Sequence, residues 1–146
     1  MSFDIEGWIE VARNPDTADA HAWFGVARLG SLVDVGDDDT ERLFGLSKRY
    51  RRGECEAESL AADRGLPPNP SSQVRIAMEE IAAHEAKYGL GECGGYTYAL
   101  WAEIRGYELV EKGEVEPQLR VAFDMARVLE KWYGPDRVRF VVWFCW

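Results

Sequence analysis

The chain has 146 residues and a formal net charge of −9, with 26 acidic against 17 basic side chains. This length suits one domain with its own core, so we predict a single domain over residues 1–146. The acidic charge repels other polyanions at long range, which argues against nucleic-acid polymers and anionic membrane surfaces as partners. It leaves a cationic or basic protein partner open.

The three cysteines, Cys55, Cys93 and Cys145, show no short pairing of the kind that marks a disulfide framework or a zinc ribbon. We therefore expect free thiols and a reducing, cytoplasmic setting. The N-terminal residues lack the charged and apolar segments of a secretory signal, and no apolar stretch is long enough for a membrane helix.

The first half of the chain predicts a β-hairpin and a short helix. Apolar and polar residues alternate over residues 4–11, which is typical of a half-buried strand. Turn residues over 14–16 and an apolar run over 21–29 then predict a second strand that pairs with the first. A short helix is expected over 41–50, and the proline- and glycine-rich segment 51–72 is expected to be mainly loop.

The second half predicts two longer helices and a final strand. Apolar residues at helical spacing indicate one helix from a serine cap to residue 88 and another over 117–133. Residues 98–107 fit either a short helix or a strand. Residues 138–146 are apolar on both sides, as in a central strand.

These elements predict an α+β fold: a small β-sheet with an N-terminal hairpin and a central C-terminal strand, packed by two main helices. We expect the two helices to cover only one side of the final strand. Its other side would then meet the loop-rich segment or a second copy of the chain, which makes a homodimer the expected assembly if the loop does not cover it.

Five short motifs are spread over most of the chain. They are Met1-Ser-Phe-Asp4-Ile5 with Glu10, Glu41-Arg-Leu-Phe-Gly-Leu46, Arg64-Gly-Leu-Pro67 with Ser71, Tyr98-x-x-Trp101-x-Glu103-Ile104, and Val138-Arg-Phe-Val-Val-Trp-Phe144. In this order they resemble a family of small phage and bacterial proteins without an established activity. The resemblance implies a bacterial cytoplasm, or the host cytoplasm if the chain is phage-encoded. Glu6 and Gly94-Gly95-Tyr96 stand where that family usually carries histidines, so no histidine role is transferred.

The segment Lys48-Arg-Tyr-Arg-Arg-Gly53 is the only basic concentration in this acidic chain. Guanidinium groups beside an aromatic ring suit a phosphate or nucleotide, since arginine binds oxyanions through two N–H groups and stacks on bases. We therefore predict that a phosphate-containing ligand binds a common surface, formed by Arg49, Tyr50, Arg51, Arg52 and Arg64. The alternative is that these cations only offset a helix macrodipole.

The glycine-rich stretch over residues 89–95 suggests a second anion contact. Its backbone N–H groups could surround an anion if a helix begins at Thr97, which adds Gly94, Gly95 and Tyr96 to the predicted ligand-binding residues. The stretch matches neither a P-loop nor a dinucleotide fingerprint, and its alternative interpretation is a flexible connector.

The remaining polar residues predict no catalytic or metal site. His21 and His84 have no metal-ligand spacing with the cysteines, and Glu79 and Glu80 are interpreted as a solvated helix face. No nucleophile lies in a local signature with a base, so we predict no catalytic residue, metal or cofactor. Trp8 shares a strand face with three acids and, if exposed, would indicate an interface.

These observations favour a small intracellular accessory binding protein over an enzyme. Its partner would be a phosphate-containing small molecule or a host protein, and the family resemblance suggests a role in host–virus conflict. The alternative is an enzyme that acts on a nucleotide with acidic side chains as general acid and base.

Overall fold

A four-stranded antiparallel sheet forms the centre of the fold. The computed structural model describes residues 4–13, 22–33, 38–45, 59–89, 91, 93–113, 115 and 117–145. The strands are β1 (Asp4–Ala12), β2 (Trp23–Arg28), β3 (Cys93–Leu100) and β4 (Val138–Cys145), in the spatial order β2-β1-β4-β3. The predicted α+β class, the N-terminal hairpin and the central C-terminal strand are confirmed.

Among the described residues, five α-helices connect and cover the strands. They are α1 (Asp38–Phe44), α2 (Ser72–Tyr88), α3 (Trp101–Arg105), α4 (Glu108–Glu111) and α5 (Pro117–Tyr133). A short 3-10 turn, Leu29–Ser31, follows β2. In the described part of the chain, no helix combines the length and the apolar character that crossing a membrane requires.

The first face of the sheet packs against α5 and α3. α5 begins at Pro117, and its residues Leu119, Ala122, Phe123 and Ala126 are buried because they recur on one side of the helix. The rings of Trp101, Phe123 and Phe140 lie 5.4 to 6.2 Å apart at the centre of this core. This is the larger of the two hydrophobic clusters.

The second face of the sheet packs against α2. The side chain of Ser71 accepts a hydrogen bond from the Val74 N–H at 3.3 Å, so the predicted serine cap is present. Val74 then packs with Val141 and Trp143 of β4. The expectation that the two main helices cover one side of the final strand is therefore wrong, because periodicity identifies a buried helix side and not the sheet face that it meets.

Three aromatic residues show where apolar surface is exposed. Trp8 is half-buried against the second face, so the exposed ring that would indicate an interface on β1 is not present. Tyr88 and Trp132 lie on α2 and α5 and are 67% and 78% exposed. Most of the exposed large apolar side chains of the described residues therefore lie on α2 and α5, while Val26 of β2 and Leu66 are also exposed.

The glycine-rich stretch is also more regular than expected. Gly94, Gly95 and Tyr96 belong to β3, and the β3–β4 register shifts between Gly94 and Thr97, which places a bulge at this point. The connector interpretation is wrong for these three residues. The helix start at Thr97 on which the anion contact depended is also wrong, because Thr97 lies within β3. The ambiguous segment after Tyr98 contains both alternatives, since β3 ends at Leu100 and α3 begins at Trp101.

Cys93 and Cys145 form a disulfide between facing positions of β3 and β4. The prediction of free thiols is wrong for these two residues, while Cys55 lies outside the described residues. The two are 52 residues apart in sequence, and strand pairing brings their Cα atoms to 4.1 Å. Sequence spacing alone could not reveal this contact. The cysteine argument for a reducing setting no longer holds, and the cytoplasmic location stays a prediction.

Candidate functional site

An open groove of about 320 Å³ lies between α2 and the second face of the sheet, beside the disulfide. All four strands and α2 contribute to its lining: Glu6, Arg28, Ala77, Glu80, Ile81, His84, Glu85, Cys93, Trp143 and Cys145. A volume of this size is at the lower end of the range of about 300 to 1,000 Å³ that is typical of small-molecule sites.

The floor of the groove is apolar. It is formed by Trp143, the Cys93–Cys145 disulfide and the α2 residues Ala77 and Ile81. Trp143 is 3% exposed, and the ring of Tyr96 lies 6.2 Å from it. The floor is thus anchored in the sheet and held by a covalent link between two strands.

The walls of the groove are acidic. Glu80 and Glu85 come from α2, and Glu6 lies on β1 directly opposite Trp143 in the strand register. Arg28 donates from Nε and Nη2 to the two carboxylate oxygens of Glu6 at 3.2 Å. The lining therefore carries three carboxylates and one guanidinium group, and that guanidinium is paired with Glu6.

Helical spacing explains why α2 presents this set of side chains. Residues 77, 80, 81, 84 and 85 are separated by three or four positions, so they lie on one side of the helix. The ring of His84 also packs against Tyr88 at 4.8 Å. Glu80 is exposed, as the interpretation of a solvated helix face implies. It also lines the groove, which that interpretation did not include.

The predicted ligand residues on β3 lie next to the groove. Gly94, Gly95 and Tyr96 directly follow Cys93, which is part of the floor. Burial raises the pKa of the Tyr96 hydroxyl, and the nearby charge of Glu85 adds to the increase. The hydroxyl is therefore protonated at neutral pH and keeps a proton to donate.

Arg64 holds a structural contact. It donates to the two carboxylate oxygens of Glu103 at 3.1 and 2.9 Å, and to the carbonyls of Tyr98 and Leu60. The hydrogen bond to Glu103 raises the pKa of the Arg64 guanidinium, although burial acts in the opposite direction. An incoming anion would have to compete with Glu103 for this guanidinium.

The other residues of the predicted anion surface are not among those that the structure describes. Arg49, Tyr50, Arg51 and Arg52 are outside the described residues. Their common surface with Arg64 stays a prediction.

The groove does not have the composition of a metal centre. Within the described ranges, no three histidine, cysteine, aspartate or glutamate side chains come together in a geometry that could hold a metal ion. Its two cysteines are bonded to each other, so neither offers a free thiol as a nucleophile. The arrangement is better suited to holding a ligand by charge and apolar contact.

Sequence reasoning did not find this groove, because its lining comes from five elements that are distant in sequence. The only local signal is the repeat of Glu80, His84 and Glu85 around Ile81 on one side of α2. These side chains mark a groove only because α2 packs against the second face of the sheet.

Comparisons with known proteins add no relative. No protein-family model matches the chain, and neither curated proteins nor solved structures show a significant match. The family resemblance thus rests on the five sequence motifs alone.

Proposed function

We propose that the protein is a binding protein whose groove between α2 and the sheet takes a small organic cation, such as an amine attached to an apolar body. The observation that carries this proposal is the combination of an apolar floor with walls that carry three carboxylates against one guanidinium group. Carboxylates accept strong hydrogen bonds from ammonium groups, and the floor would bury the carbon skeleton.

Long-range electrostatics support a cation. The net charge of −9 attracts positive ligands toward the molecule, and the acidic walls would concentrate that attraction at the groove. Arg28 weakens the field only in part, because Glu6 neutralises it at 3.2 Å. Glu80 and Glu85 remain as the acidic contribution of α2.

The first prediction tests the groove with two amines, benzylamine and butylamine. Both should bind in a calorimetric or NMR titration, and Glu80→Gln should weaken the binding about tenfold because a charge-assisted hydrogen bond is lost. The matched control is Glu79→Gln. Glu79 is exposed on the same helix and carries the same charge, but it does not line the groove.

Two results would contradict the groove as the site. Equal weakening in both variants would show that only overall charge matters, and the absence of any amine binding would remove the proposal. Inorganic phosphate and adenosine monophosphate serve as anionic probes in the same titration. Binding of these two in preference to the amines would contradict a cation site and favour the phosphate prediction made for Arg49 to Arg52.

The alternative function, an enzyme that acts on a nucleotide, is distinguished from a binding protein by consumption of the ligand. His84, Glu80 and Glu85 supply groups that can transfer protons, so a nucleotide substrate would be consumed over time. Binding of a cation is favoured, because the acidic walls of the groove would repel the phosphate groups of a nucleotide. A host-protein partner and a role in host–virus conflict remain proposals that rest on the resemblance.

A further inference from the structure

α5 carries a second apolar side in addition to the one that faces the core. Val121, Met125, Val128 and Trp132 follow one another at intervals of four, three and four residues, and we refer to them as the α5 stripe. Val121, Val128 and Trp132 are 50%, 58% and 78% exposed. We propose that the α5 stripe is the contact between two copies of this chain, packed as an antiparallel helix pair.

The spacing of the α5 stripe is that of a helix–helix seam. Alternating intervals of three and four residues place side chains in one line along a helix, which is the pattern of the inner positions in coiled coils. Across a two-fold axis near residues 126 and 127, Met125 of one copy would face Val128 of the other, and Val121 would face Trp132. The seam is thus complementary to itself, as a symmetric dimer requires.

The charges beside the α5 stripe are also self-complementary. Asp124 and Lys131 are one heptad apart and lie on the same flank of the stripe, the flank that faces away from the core. In antiparallel packing, Asp124 of each copy lies opposite Lys131 of the other, which gives two identical ion pairs. Asp124 is 73% exposed and already accepts from Arg127 of its own helix, which holds its side chain at the helix surface.

A shallow depression receives the largest side chain of the stripe. It measures about 490 Å³ and lies between β2 and α5, where Val26, Val121, Met125 and Leu129 line it. In the antiparallel arrangement, Trp132 of the second copy reaches Val121 at the edge of this depression. Buried tryptophan is the residue type that most often dominates contact energy.

The shape of the edge strand β2 favours α5, and not β2, as the contact between two copies. β2 lies at the edge of the sheet, and its register with β1 shifts so that Val26 has no partner opposite it. A bulge of this kind twists an edge strand and discourages pairing with another strand. Val26 therefore adds apolar surface to the depression but does not prepare β2 for sheet extension.

The area of the α5 stripe predicts moderate affinity. A stable interface buries roughly 1,200 to 2,000 Å² in total, and one 17-residue helix pair is at the low end of that range. We therefore expect the dimer to form at about micromolar concentrations. This inference is independent of the proposed groove, which lies on the opposite face of the sheet.

The second prediction is that substitutions in the α5 stripe dissociate the dimer. Val128→Ser and Trp132→Ser should each raise the dissociation constant about tenfold or more in sedimentation equilibrium, because apolar contacts at the seam are lost. Ile76→Ser is the matched control, since Ile76 is 55% exposed on α2 and lies outside the stripe. The control should leave the dissociation constant unchanged, and circular dichroism verifies that each variant is folded.

A charge exchange tests the antiparallel register. Asp124→Lys and Lys131→Asp should each weaken the dimer by several-fold at low salt, because each places like charges opposite each other. The double variant carrying both changes should recover the original affinity. A monomer at all concentrations up to about 0.5 mM overturns the proposal. So does a dimer that is insensitive to the stripe variants, or a double variant that does not recover.

Discussion

At the scale of single residues, Glu10 and Arg139 form a buried ion pair that joins the sheet to the loop before α2. Glu10 is 0% and Arg139 is 4% exposed. Arg139 Nε donates to Glu10 Oε1 at 2.6 Å, and the Ser71 N–H donates to Glu10 Oε2 at 2.7 Å. The remaining Arg139 nitrogens donate to the carbonyls of Pro68 and Asn69. Because all these polar atoms have partners, the cluster can be buried.

The third prediction concerns this pair. Arg139→Met should lower the free energy of unfolding by about 3 to 5 kcal/mol, because it leaves the Glu10 carboxylate buried without its countercharge. Urea denaturation measures the change. The control is Arg28→Met, which removes a 56% exposed partner of Glu6 and should cost at most about 1 kcal/mol. Similar losses in the two variants would show that burial does not determine the strength of these pairs.

Glu103 gives a pH-dependent contribution to stability. The hydrogen bond from Arg64 lowers the pKa of the Glu103 carboxyl, and the Leu100 N–H adds to that decrease, while burial opposes it. A carboxyl whose pKa is lower in the folded state stabilises the fold above its unfolded pKa of about 4.3. That contribution disappears as the pH falls through the lower, folded value.

The fourth prediction follows from the lowered pKa of the Glu103 carboxyl. Glu103→Gln should be less stable than the parent at pH 7, by up to about 1 kcal/mol because the pair is partly exposed. The two proteins should approach equal stability as the pH falls below about 4. Urea denaturation at several pH values tests this, with Glu111→Gln as a control that removes an exposed carboxylate of α4. A difference that stays constant over the whole pH range would contradict the assignment.

At the scale of elements, the disulfide ties the edge strand β3 to the central strand β4. It closes a loop with a sequence separation of 52 residues, which includes α3, α4 and α5. Such a cross-link removes conformations from the unfolded chain, and the stabilisation grows slowly with loop length. The link also fixes the floor of the groove, since both cysteines line it.

The fifth prediction is that replacing both Cys93 and Cys145 by alanine lowers the free energy of unfolding by about 4 kcal/mol, as loop entropy requires. Urea denaturation measures the loss. Dithiothreitol serves as the internal control, because it should destabilise the parent and leave the double variant unchanged. Thiol titration verifies that the disulfide of the parent has been reduced. If the reduced parent then keeps its full stability, the disulfide does not have this role.

At the scale of the whole molecule, local patterns predicted the elements better than their arrangement. α5 was predictable because proline begins it and its apolar residues repeat on one side, and β4 was predictable because both of its sides are apolar. α1 ends at Phe44, and residues 46–50 of the helix that was predicted to continue to Tyr50 lie outside the described part of the chain. The placement of α2 and α5 on opposite faces was not predictable, since periodicity carries no information about the sheet.

The candidate site was less predictable than the fold. Gly94, Gly95 and Tyr96 were singled out for an anion, yet they adjoin a groove with acidic walls. Arg64 was singled out for its charge, which Glu103 neutralises. A charged residue in a sequence does not reveal its partner when the partner is 39 residues away.

The pairing of β1 with β4 has a consequence for synthesis on the ribosome. Arg139 contacts Glu10 across 129 residues, and β1 pairs with β4 along most of its length. At about 5 to 20 residues per second, β4 is translated roughly 6 to 26 seconds after β1. Until then, β2 is the only one of its two neighbouring strands with which β1 can pair. The Glu10 carboxylate also lacks Arg139, the countercharge with which it is buried in the folded protein. The sheet therefore closes only after β4 has been translated, as a late step that depends on a contact of very long range.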